Sequence, residues 1–198
     1  MFAYIKGSLE EKSNRYVVID VGGIGYKVFM SDAAIQNIGE KGSIVKVHTY
    51  YYVREDNISL YGFLSKEELT MFELLLSVSG IGAKTAIAML SNIEPSKFAI
   101  AVITNDVNTI KKIPGIGPKS AQRIILELKD KLKTEQAIAE KEETKVVIMS
   151  SEDLNEAMEA LMILGYNKKE IEKVYDKVET NNLSTEELIK LGLKNLSK

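Results

Sequence analysis

The sequence contains no cysteine, which excludes a disulfide framework and thiolate metal sites. It has a single histidine, His48, too few for a histidine-based metal centre. Flanked by Val47 and Thr49, His48 reads as a strand residue without a chemical role. No stretch approaches the roughly 18 consecutive apolar residues of a membrane span. The opening MFAYIKGSLEE has neither a long apolar run nor a small-residue cleavage signal. A cytoplasmic location without a membrane partner is the resulting expectation. Charge of one sign is scarce as well: the formal net charge over 198 residues is -2. That is not the balance of a protein holding nucleic acid by bulk charge.

What is present is a folded-protein composition, 45% hydrophobic and 27% charged, arranged in segments of different character. Residues 1–64 read as strands. YVVIDVGGIGYKVFM is rich in Val, Ile, Tyr and Phe and is interrupted by glycines that suggest bulges or sharp bends. SIVKVHTYYYV and ISLYGFL, joined by the polar REDN, read as a hairpin. About five short strands predict a small closed barrel. Residues 65–132 change to a helical period. Ser65 and Glu68 form a capping box, and Leu69, Phe72 and Leu76 recur on one face. Pro95 marks another helix start, Asp106 a third, and KSAQRIILELKDKL is amphipathic. Residues 133–149 are polar and predict a flexible linker. Residues 150–198 predict three short helices, with Ser150/Asp153, Asn167/Glu170 and Ser184/Glu187 at their starts and Gly165 closing the first. The fold class is therefore α+β and multidomain.

Charge follows these divisions. Basic and acidic residues balance at seven each in residues 1–64. The basic ones exceed the acidic nine to seven in 65–132 and trail ten to fourteen in 133–198. The one positive segment contains a repeated element. SGIGAKTA from Ser79 and PGIGPKSA from Pro114 share Gly, Ile, Gly, Lys, a hydroxyl residue and Ala. Each lies between helical patterns. Glycines leave the backbone bare and permit positive φ, and the following helix begins with unpaired N–H groups that attract anions. Ile81 and Ile116 can point inward. The candidate phosphate-binding residues are Gly80, Gly82, Lys84 and Thr85 in the first copy. In the second they are Gly115, Gly117, Lys119 and Ser120, with Arg123 a turn further on. One copy alone is equally consistent with an ordinary helix-to-helix turn; two matching copies argue for a grip on two phosphates. Such contacts position a protein and read no sequence. A nucleotide site does not fit, since GAKT and GPKS place a residue between Gly and Lys and lack the first glycine of a P-loop.

DVGGIGYKV, YYVREDNISLYGF, VSGIGAKTA and PGIGPKSAQRI, in this order across essentially the whole chain, resemble the RuvA family, with LMILGY a weaker match in the tail. The resemblance implies an OB-like barrel, a tandem helix-hairpin-helix domain and a UBA-like C-terminal bundle. It implies a non-catalytic subunit that binds four-way (Holliday) DNA junctions as a homotetramer, or as two tetramers face to face. The setting would be recombination, repair and the SOS response. It assigns Glu55 and Asp56 to an acidic pin at the centre of the junction. It implies a RuvB-like ATPase motor as partner, with Leu164, Gly165 and Tyr166 as part of the docking patch, and a junction resolvase as a further partner. No cofactor or metal is implied. For Leu164 to Tyr166 a Gly-capped helix end is an equally good account.

Three other functions fit the residues less well. A helix-hairpin-helix glycosylase needs a catalytic Asp on a Gly/Pro-rich loop, whereas Asp130 lies in an amphipathic helix. A nuclease needs a carboxylate cluster for metal, and the N-terminal acids are scattered apart from Glu55 and Asp56. An RNA-binding barrel could stack bases on Tyr50 to Tyr52, but successive strand residues face opposite sides.

Overall fold

The computed structural model describes residues 2–55, 57–139, 152–178, 180 and 183–196. Five strands form the expected closed barrel in the order β1-β2-β3-β5-β4: β1 (Tyr4–Lys12), β2 (Tyr16–Val21), β3 (Ile24–Phe29), β4 (Ile44–Val53) and β5 (Ile58–Phe63). Alternate residues fill it. Leu9, Val17, Ile19, Val28 and Val47 are fully buried, while their strand neighbours face outward. A parallel pairing of β3 with β5 closes the barrel, Val28 opposite Leu60. The glycines of DVGGIGYKV make a two-residue hairpin turn. Gly22 and Gly23 both have positive φ (65° and 89°), and the Asp20 carboxylate accepts from the Gly23 N–H at 3.0 Å. The bend lies instead in β1, where the register shifts between Leu9 and Glu11. Nearby, a side chain at Gly7 would run into the Asp20 carbonyl oxygen.

The strand reading of residues 1–64 did not include α1 (Asp32–Asn37). Its signal is local: the Ser31 hydroxyl caps it by accepting from the Ala34 N–H at 3.1 Å. Ala34, Ile35 and Ile38 join the barrel core. One short helix among strands leaves too little period to be read.

The chain divides into two compact units, Met1–Leu76 with Ile81–Asn92, and Ser77–Gly80 with Ile93–Lys198. In the first, α2 (Lys66–Leu76) starts at the expected box, with Ser65 and Glu68 each accepting from the other's N–H. Phe72 is buried as expected, but Met71 and Leu75 lie deeper than Leu69 and Leu76. Phe72 stacks on Tyr50, Tyr61 and Phe63 at 4.9–5.4 Å between ring centres. These contacts join α2 to β4 and β5. The next helix, α3 (Ala83–Leu90), is followed by Ser91, whose hydroxyl accepts from the Asp32 N–H at 3.0 Å and so ties it to α1. We expect Phe72→Ala to cost about 3–5 kcal/mol, read as a lower midpoint in denaturant titration.

The second unit contains α4 (Pro95–Ile103), α5 (Val107–Lys111), α6 (Pro118–Ala139), α7 (Glu152–Ile163), α8 (Lys168–Tyr175) and α9 (Thr185–Leu196). Pro95 opens α4, and Asp106 caps α5 by accepting from the Thr109 N–H and hydroxyl. Those bonds hold the Asp106 carboxyl below its usual range. Helical backbone continues to Ala139, so residues 133–139 of the expected linker lie in α6, while residues 140–151 lie outside the described residues. The three C-terminal helices pack on one another. The capping box at Asn167 and Glu170 is complete, and Glu187 caps Ser184; Ser150 lies outside the described residues. Tyr175, pushed up to about 12 by burial, donates to the Leu188 carbonyl at 2.9 Å and locks α8 to α9.

Candidate nucleic-acid interface

The two hairpins have matching local geometry. Gly80 and Gly115 both adopt φ 83°, a left-handed conformation that ends the entering segment and turns the chain. Just before them, Val78 and Ile113 are buried. Just after, Ile116 is buried and Ile81 half-buried, so the second anchor is the deeper of the two. Each helix then starts at a glycine. The Gly82 carbonyl accepts from Ala86 N–H and the Gly117 carbonyl from Ala121 N–H, both at 2.9 Å. Ala86 and Ala121 are fully buried and seat the first turn of each helix. Lys84 and Lys119 project into solvent from that turn, while Thr85 and Ser120 are half-buried.

Gly82 and Gly117 differ from the other pair. Gly82 has φ -98° and ψ 172°, an extended conformation open to any residue, and Gly117 is not left-handed. A Cβ at either position meets nothing within 4 Å. Neither backbone strain nor packing within the chain therefore requires glycine there. What a side chain would obstruct is the space in front of the helix-start amides of α3 and α6. These N–H groups have no intrahelical partner, and an anion approaching them would fill it.

Arg123 lies in α6, the helix of the second hairpin, yet its guanidinium donates to the Ser79 carbonyl of the first at 3.3 Å. It also lies 3.4 Å from a Cβ placed at Gly80. One turn on, the Glu127 carboxylate accepts from the Ser79 N–H at 3.0 Å. Sequence reading missed Glu127. Its only signal was its position four residues after Arg123, which puts both on one face of α6.

The remaining candidates lie elsewhere. REDN connects β4 to β5; Arg54 and Asn57 close it by exchanging backbone bonds at 2.9 and 3.4 Å. Glu55 is exposed at this tip; Asp56 lies outside the described residues. Tyr50 and Tyr52 turn to one side, against Phe72 and Tyr61, and Tyr51 to the other, against Phe2. Tyr50 and Tyr52 are half-buried in this packing, whereas Tyr51 stays exposed. At the end of α7, Gly165 (φ 89°) donates to Met162 and Tyr166 to Leu161, the two bonds of a glycine-capped helix end. Leu164 is buried, Tyr166 half-buried and Gly165 exposed. Among the described residues no group of three or more His, Asp or Glu could hold a metal. No single helix among them is long and apolar enough to cross a membrane.

A five-stranded barrel, a tandem pair of helix-hairpin-helix elements and a C-terminal helical region define a class of multidomain proteins. Family models agree along the chain: "RuvA N terminal domain" matches residues 1–62, "SAM-like Helix-hairpin-helix tandem" 72–130 and "RuvA, C-terminal domain" 152–197. The chain is 53% identical over its full length, and that of the relative, to a protein of Acetivibrio thermocellus named "Holliday junction branch migration complex subunit RuvA". Relatives with the same name from Ruminiclostridium cellulolyticum (48% identity, covering 99% of this chain and 100% of the relative) and Caldanaerobacter subterraneus subsp. tengcongensis (44%, full length of both) agree with it. The chain belongs to the RuvA family.

Proposed function

We propose that this chain binds four-way DNA junctions without reading their sequence and serves as the DNA-holding, non-catalytic subunit of a branch-migration complex. The observation that carries this reading is the pair Gly82 and Gly117. Both are glycines with no internal reason to be glycine, each at a helix start beside a solvent-facing lysine. The proposed contacts are the N–H groups around Gly80, Gly82, Gly115 and Gly117, the hydroxyls of Thr85 and Ser120, and the cations Lys84, Lys119 and Arg123. The two hairpins would hold one phosphate on each strand of a duplex arm. Helix-start amides supply a local positive field that net charge does not. On this reading a chain of net charge -2 holds a polyanion through local fields rather than bulk charge. The names of the relatives favour this reading over a glycosylase or nuclease.

The assembly follows the same reading. Four copies arrange about the junction centre, alone or as two facing tetramers, and present Glu55 and Asp56 to its phosphates. Tyr4, Ile24, Ile44 and Ile58, large apolar side chains exposed on the barrel, support self-association. A RuvB-like ATPase supplies the motor and docks on the C-terminal helices, on a patch at Gly165 and Tyr166 with Leu164 packed beneath. A junction resolvase acts on the same complex. The location is cytoplasmic.

Salt dependence tests the grip. Each phosphate neutralised by a lysine adds about one to the slope of log affinity against log salt concentration. Lys84→Ala and Lys119→Ala should each lower that slope by about one and weaken binding equally across arm sequences. A slope unchanged in both variants contradicts the phosphate contacts.

A further inference from the structure

One of the positions at which the two hairpins differ is the residue before the left-handed glycine. It is Pro114 in the second hairpin and Ser79 in the first. The proline ring fixes φ there and leaves no N–H to satisfy. Ser79 has neither advantage. Its backbone is instead held from both sides by α6: Glu127 accepts from its N–H at 3.0 Å and Arg123 donates to its carbonyl at 3.3 Å. We infer that Glu127, with Arg123, is a positioning residue for the first hairpin, doing with two hydrogen bonds what Pro114 does covalently in the second. The inference rests on the phosphate-binding reading of that hairpin.

The sign of the charge sharpens the argument. A carboxylate beside a phosphate-binding turn repels the phosphate. If Glu127 contributed charge alone, removing it would tighten binding. As a clamp it fixes the peptide that leads into Gly80, and with it the aim of the amides that follow. A carboxylate–amide bond is among the stronger kinds, and freeing a hairpin raises the entropy cost of binding. The same helix carries the amides of the second hairpin at its start, so α6 serves both.

The test compares Glu127→Ala, Glu127→Gln and the double variant Ser79→Pro/Glu127→Ala, each as full-length protein with a synthetic four-way junction. Glu127→Ala should weaken binding about tenfold. Glu127→Gln keeps an acceptor and should bind within about twofold of the starting protein. Ser79→Pro/Glu127→Ala should recover most of the loss, because the ring replaces the clamp. Equal or tighter binding by Glu127→Ala overturns the inference. So does a loss that Ser79→Pro leaves untouched. If Glu127→Ala does not fold, amide hydrogen exchange on the unaltered protein decides. The Ser79 amide should exchange at least about tenfold more slowly than an open hairpin amide, and fast exchange overturns the clamp. Gly117→Glu run alongside separates the two readings: unchanged binding in that variant discards the phosphate grip itself, whereas lost binding there with none lost in Glu127→Ala discards only the clamp.

Discussion

The double variant Gly82→Glu/Gly117→Glu folds as well as the starting protein and loses at least about a hundredfold in junction affinity, close to 3 kcal/mol. Both halves of that expectation follow from the same geometry. Neither glycine has a left-handed φ, and a Cβ at either meets nothing within 4 Å. The new side chain causes no strain and no clash, and a carboxylate at a helix start favours the helix slightly. The loss comes entirely from outside the chain. The carboxylate occupies the space in front of the amides and opposes a phosphate there. At about 4 Å and a surface dielectric near 20, two like charges repel by about 4 kcal/mol. Gly80 and Gly115 make a less clean test. Their φ of 83° means that any side chain adds about 1–2 kcal/mol of strain, which mixes folding with binding. Electrophoretic mobility shift paired with thermal melting separates the two effects. Unaltered melting with unaltered binding contradicts the phosphate role.

The second large effect belongs to the hairpin tip. Glu55→Lys/Asp56→Lys reverses the charge proposed to face the phosphates at the junction centre. Binding should hold or tighten, since repulsion is replaced by attraction. Branch migration, driven by a RuvB-like ATPase and followed by strand products, should change several-fold, because separation of the strands loses its repulsive centre. A migration rate equal to that of the starting protein removes the pin from the account. The exchange of backbone bonds between Arg54 and Asn57 lies outside the side chains altered, so the hairpin itself should persist.

Local pattern makes much of this legible in the sequence. The barrel followed from alternation and turn residues. Helix starts at Ser65, Asp106, Asn167 and Ser184 followed from caps, since a cap is a short-range hydrogen bond between residues about three apart, and the start at Pro95 followed from a proline in the first helical turn. The repeat was readable because its chemistry is carried by consecutive residues. What escaped depends on contacts distant in sequence. Glu127 meets Ser79 across 48 residues, and its spacing from Arg123 marks a shared helix face without revealing that partner. Arg123 could be named as a phosphate ligand from its helix, but not as a neighbour of the other hairpin. Met71 and Leu75 lie deeper than Leu69 and Leu76 because β4 and β5 present Tyr50, Tyr61 and Phe63 to that side of α2. Helical period identifies a stripe, but the partner surface selects its centre. The distinction between the two glycine pairs was also invisible. In the sequence all four are the same letter, and only dihedrals and open space show that Gly80 and Gly115 serve the fold while Gly82 and Gly117 do not.

The most direct measurement is competition for the protein between a four-way junction and a linear duplex of the same arm sequence at fixed salt. The account predicts that the junction is preferred by at least about a hundredfold, with no dependence on the sequence of the arms. Equal affinity for junction and duplex contradicts it.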